Sequence, residues 1–113
     1  MLIKKEDAEQ HQNSPSCKVD EHNYFTGKIS YATAEINGTY PEFKKAVNLN
    51  CETIFIGISG FGVIHSKRGD FRINPLDTCH ILQGEEYSIE GENLILGVMN
   101  SPRWTKEQYR EVD

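Results

Sequence analysis

Turn chemistry cuts this chain at short, regular intervals, and nothing else in it limits the fold so strongly. Asn37-Gly38, Arg68-Gly69-Asp70, Gln83-Gly84 and Gly91-Glu92-Asn93 supply residues that tolerate positive φ or close tight turns. Between them lie short segments rich in Ile, Val, Phe, Tyr and Thr, the side chains that suit a pleated, half-buried surface. The spacing predicts strands at Lys28 to Ile36, Val47 to Ser59, Phe61 to His65, Asp70 to Ile73, Thr78 to Leu82, Tyr87 to Glu90 and Leu94 to Met99. Many short strands at such spacing describe an all-β sandwich or barrel. Only the tail reads as helical: Thr105 through Gln108 has the spacing of a capping box, with Tyr109 and Val112 left for packing. Residues 1–16 are polar, contain Pro15 and show no period, so they are expected to be a flexible lead-in with one short strand at Leu2 to Lys4. The ordered domain is expected to span 17–113.

At 113 residues there is room for one domain with a real core and not for two. The formal charge of -5, with no Lys/Arg stripe, offers a phosphate backbone no counterion release, so a nucleic-acid partner is not expected. Neither is a membrane: the opening residues lack an apolar secretory region and no apolar run approaches spanning length. A cytoplasmic protein follows as the expectation. Cys17, Cys51 and Cys79 are an odd number without a close pair and are read as reduced, mostly buried thiols.

From about Tyr40 to Met99 the chain resembles a cupin, a small jelly-roll β-barrel recognised by two motifs. With the second glycine of the second motif on Gly84, that motif's histidine falls on Tyr87, its proline on Leu82, its first glycine on Leu76 and its asparagine on Gly91. With the closing glycine of the first motif on Gly60, its glutamate falls on Thr53 and its two histidines on Val47 and Leu49. The segments Gly38-Thr39-Tyr40-Pro41 and Asn100-Ser101-Pro102-Arg103-Trp104-Thr105 are similar to the entry and close of small single-domain cupins. The resemblance implies a cupin-type jelly-roll barrel with a short C-terminal helical turn. It also implies an emptied metal site, because none of the ligand positions keeps a histidine or carboxylate. No metal or other cofactor is therefore expected: valine, leucine and threonine give a divalent transition ion no nitrogen or anionic donor, and a phenol alone is a poor ligand.

Side chains two apart on a strand share a face. Val47, Leu49, Cys51, Thr53 and Phe55 are therefore expected to line the barrel. Together with Tyr87 and Tyr40 they would make an apolar pocket with a few oriented hydroxyls, suited to a small molecule such as a sugar or sugar derivative. Sliding the register by one would bring Asn48, Asn50 and Glu52 inward instead. Two other functions stay open. One is a metal-independent sugar isomerase or epimerase, drawing acid and base from Glu52, His80, Tyr87 and Cys51. The other is a structural or regulatory homodimerisation domain with a filled barrel and Ile54 and Ile56 on its outer face. Among the histidines, His11 and His22 are given no site role, His65 is expected at the surface beside its turn, and His80 is the one that could face the cavity. Trp104 is placed to close one end of the barrel. Gly57, Gly60 and Gly62 lack the following helix that a phosphate loop needs.

Overall fold

The computed structural model describes residues 1–22, 24 and 26–113. Nine strands form one curled antiparallel sheet: β1 (Glu9–Ser14), β2 (Cys17–His22), β3 (Ser30–Tyr40), β4 (Lys45–Asn48), β5 (Glu52–Ser66), β6 (Gly69–Ile73), β7 (Thr78–Ile81), β8 (Tyr87–Ser101) and β9 (Tyr109–Val112). Strand β8 is the axis. It pairs with β3 along one edge and with β5 along the other, while β6 and β7 share the far edge of β5. β1 and β2 extend the β3 side, and β4 joins β8 at Ala46 and Tyr87 and carries β9. No helix among the described residues is long and apolar enough to cross a membrane.

Alternation along these strands sets the concave face. Cys17, Ala34, Ile36, Phe55, Ile64, Ile73, Ile81, Ile89, Leu94 and Leu96 are all buried there. Each fully buried Ile or Leu contributes about 1.5–3 kcal/mol of transfer free energy. Ile54, at 38% exposure, lies on the convex face with half-buried Ile56.

Several expected turns are not chain reversals. β3 runs straight through Asn37-Gly38, and β8 runs straight through Gly91-Glu92-Asn93. Gly38 lies opposite Gly91 in one ladder and Gly62 lies opposite Gly91 in the next, with register shifts beside them on β3 and β5. The glycines thus line up across the sheet where it bends, which is the work of bulges rather than turns. β5 likewise continues through Gly60 instead of breaking there. Gln83-Gly84 is a true turn, with Glu85 N–H donating to Leu82 O and Gly84 at φ 78. The reversal before β6 falls on Lys67-Arg68, just ahead of Gly69. Within the segment read as lead-in, β1 pairs with β2, while the strand expected at Leu2 to Lys4 is not formed. At the C-terminus the expected helical turn is a short one at Lys106–Gln108; Thr105 makes no side-chain cap, and the tail goes on into β9.

Two glycines with positive φ provide a test. A Cβ at Gly60 would sit 1.9 Å from Asn93 O, whereas one at Gly84 would meet nothing within 4 Å. Gly84→Ala is expected to cost about 1 kcal/mol for its backbone conformation alone, and Gly60→Ala about 3 kcal/mol or more. Urea unfolding of both variants measures this; equal losses would show that the β5 bulge is not the rigid corner described here.

Candidate functional site

The curled sheet encloses a cavity of about 500 Å³. Its wall is largely apolar: Cys17, Val19, Ala34, Ile36, Phe55, Ile89 and Val98. Tyr40, Tyr87, Asn100, Trp104 and Tyr109 bring the polar atoms, and Glu21, Arg103, Lys106 and Glu107 also line it. Phe55 and Tyr87 meet edge to face, with centroids 5.5 Å apart, and Trp104 tilts against Tyr109 at 5.8 Å.

One end of this cavity is backed by a buried amide and hydroxyl network. Trp104 Nε1 and Gln108 Nε2 donate to Asn48 Oδ1 at 3.1 and 2.9 Å. Asn48 Nδ2 donates to Thr53 Oγ1 at 3.3 Å, and Thr53 donates to Asn100 Oδ1 at 2.6 Å. Gln108 Oε1 accepts from the Asn50 N–H at 3.2 Å, with the Cys51 thiol 3.6 Å away. Asn48, Thr53, Asn100 and Gln108 are each less than 9% exposed, so the bonds among them replace lost contacts with water. Beside it, Tyr109 lies opposite Asn48 in the β4–β9 ladder; Tyr40 and Tyr109 share a hydroxyl hydrogen bond of 2.8 Å, and Tyr109 donates onward to Glu111 at 3.1 Å.

Burial governs the acidities. It pushes Cys17 and Tyr40 up to about 12 and Cys51 up to about 11, and lifts Tyr87 and Tyr109 well above the ordinary phenol range. These phenols and thiols are neutral at physiological pH. They orient and donate protons in hydrogen bonds; they do not act as anions.

No protein-family model matches this sequence, and no curated protein matches it. Solved structures do. Pac13 from Streptomyces, a nucleoside dehydratase also solved with uridine, superposes at a TM-score of 0.87 with 12% identity, over 99% of this chain and 90% of its own. KdgF from Halomonas gives 0.78 at 9% identity, over 92% and 96% of the two chains. A sugar phosphate isomerase of the cupin superfamily from Silicibacter pomeroyi gives 0.70 at 8%, over 89% and 75%. The chain has the cupin fold. At these identities the likeness is one of architecture, and the chemistry rests on the side chains in place.

The residues expected at the cupin site divide into three groups. Tyr87, Phe55 and Tyr40 line the cavity. Thr53 stands behind it, buried and bonded to Asn100. Val47, Leu49 and Cys51 are not among the lining residues: Leu49 is 49% exposed on the bend between β4 and β5, and Val47 is buried beside β9. The reason is a change of parity. Residues 49–51 leave the strand, so Ala46 and Asn48 face inward from β4, while Thr53 and Phe55 face inward from β5. Neither continuous register holds across the bend. Asn48 belongs to one and Thr53 to the other. Asn100 and Gln108, which complete the network, carried no sequence signal beyond being polar near the end of a strand or turn.

The four positions laid on the cupin motifs do not together make a metal site: Val47 and Leu49 have no donor atom and lie outside the cavity, Thr53 is committed to Asn48 and Asn100, and Tyr87 is a neutral phenol. A different cluster, Glu9, His11 and Glu21 on β1 and β2, brings three ligand atoms within 4.8 Å of one another. In it His11 Nε2 lies 3.2 Å from Glu9 and 3.6 Å from Glu21, an imidazole between two carboxylates. His80 and Glu52, considered above as acid and base, face out and meet each other at 3.3 Å on the convex surface. His22 packs edge-on against Tyr31.

Two measurements follow from this geometry. Asn48→Leu strands Trp104, Gln108 and Thr53 together and should cost about 3 kcal/mol in urea unfolding; a loss below about 1 kcal/mol would mean the network does not hold the barrel end. His65 sits 2.6 Å from Asp70, and Glu90 lies 3.3 Å from Nε2 without hydrogen-bond geometry. The Asp70 bond raises the His65 pKa above 6.5. Its stabilisation is therefore complete below about pH 6.5 and is lost as pH climbs through the higher folded value. The unfolding midpoint should fall across that window, and Asp70→Asn should flatten the fall; an unchanged slope in the variant would disprove the assignment.

Proposed function

We propose that this protein binds a small, neutral, sugar-containing molecule, such as a nucleoside or a sugar derivative, inside the barrel. The observation that carries this reading is a cavity of about 500 Å³ whose apolar wall is interrupted by a few buried, oriented hydroxyl and amide groups. That volume and that ratio of apolar wall to fixed polar groups are those of a small-molecule site. Aromatic faces from Phe55, Tyr87 and Trp104 suit a planar ring or the apolar face of a sugar. Pac13 with uridine and the cupin sugar phosphate isomerase, both of similar architecture, lend support to ligands of this class. The acid and base first considered for an isomerase or epimerase are not in the cavity: Glu52 and His80 are paired with each other on the outer face, while the carboxylates and imidazole that line it are those of Glu21, Glu107 and His22.

Trp104 is the only tryptophan of the chain and lines the cavity, so its fluorescence reports occupancy directly. A panel of uridine, other nucleosides, monosaccharides and sugar lactones should contain a member that perturbs Trp104 emission. At about 100 times its Kd that ligand should stabilise the fold by about 2.7 kcal/mol, a rise of about 10 °C in Tm. If no member moves either signal, the barrel is not a receptor for this class.

A further inference from the structure

The network behind the cavity has a direction, and that direction follows from one atom. An indole N–H can only donate. The atom of Asn48 that Trp104 Nε1 meets at 3.1 Å is therefore the carbonyl Oδ1, whose second lone pair takes Gln108 Nε2. Asn48 must then present its amide Nδ2 to Thr53, so the Thr53 oxygen accepts and its own proton goes to Asn100, 2.6 Å away. The atom of Asn100 nearest Thr53 is thereby fixed as Oδ1, toward which the Cys51 thiol also points at 3.8 Å. What remains is Asn100 Nδ2. Asn100 is 6% exposed and lines the cavity, and among the described residues its NH2 has no hydrogen-bond partner.

Tyr87 is 7% exposed and lines the same cavity, and its neutral phenol carries a proton that it can donate.

We infer that the inner end of the cavity is built to receive a carbonyl oxygen, held by the Asn100 amide N–H and the Tyr87 O–H. The inference rests on the cavity being the ligand site and adds which end of the ligand enters first: the oxidised carbon of a sugar derivative or the carbonyl edge of a nucleobase. A carbonyl accepts and asks for nothing back. A hydroxyl placed there must also donate, and Asn48 Oδ1 and Asn100 Oδ1 each already receive two donors. Its proton finds no free amide oxygen, which costs selectivity of about 10- to 100-fold.

Ribose, uridine and ribonolactone test this, because the last two add a nucleobase carbonyl and a sugar carbonyl to the same ring. Titrated against Trp104 fluorescence, uridine or ribonolactone should bind at least about 10-fold tighter than ribose, and which of them does so names the carbonyl's source. Asn100→Asp keeps the size and the Thr53 bond, turns the cavity-facing group into an acceptor, and should abolish that preference. Tyr87→Phe should weaken it about 3- to 10-fold. In case either variant unfolds, the wild-type protein gives a second readout: the side-chain NH2 resonances of Asn100 should move downfield on saturation with the preferred probe. Ribose binding as tightly as both carbonyl probes overturns the inference. So does a stationary Asn100 amide while the Phe55 ring resonances shift. If no probe moves Phe55 or Trp104 at all, the ligand reading of the cavity fails first and this inference falls with it.

Discussion

The side-chain amide of Asn48 is the joint on which the site depends. It stands at the end of β4 and touches elements that the sheet ladders alone would not bring into one rigid unit: Thr53 on β5, and Gln108 and Trp104 from the C-terminal segment. Asn48, Thr53 and Gln108 are buried, so each bond is worth more as a constraint than its net free energy suggests: the alternative is an unsatisfied buried group. Thr53 passes that constraint to Asn100 near the far end of β8.

Most of the architecture could be read from the sequence, and what escaped did so for a common reason. Ile, Val and Phe at alternating positions gave the strands, and the Gln83-Gly84 reversal falls where its chemistry put it. Gly38, Gly60 and Gly91, however, do not close turns. They let backbones approach across adjacent strands where the sheet folds, and a Cβ at Gly91 would come within 2.7 Å of Ile36 O. Glycine supplies the same freedom to a turn and to a bulge, so local sequence does not separate them; only the partner strand does. The polar stretch Glu9–Ser14 became a strand for a related reason, since its partner, β2, supplies the ladder that its own side chains do not demand.

The site was half legible. Phe55, expected from alternation, Tyr87, from the cupin spacing, and Tyr40, from the cupin-like entry segment, all line the cavity. The failure lies at 49–51, where the chain leaves the sheet and returns with its parity changed. A period of two carries no memory across such a bend, so the expectation pointed Val47 and Leu49 inward although it is Asn48 whose side chain joins the network behind the cavity. Asn100 and Gln108 were invisible for another reason: a buried amide and an exposed one look alike until a donor-only partner such as Trp104 is seen to claim one end.

The tyrosines beside this network are also tied in a fixed sense. Tyr109 lies opposite Asn48 in the β4–β9 ladder and packs against Trp104, so the amide network and the tyrosine pair share one wall of the cavity. Tyr109 donates to the carboxylate of Glu111 and so accepts the proton of Tyr40, whose oxygen is left with only acceptor capacity. Burial raises the pKa of Tyr40, Tyr87 and Tyr109, so this polarity does not reverse with any ordinary change of pH.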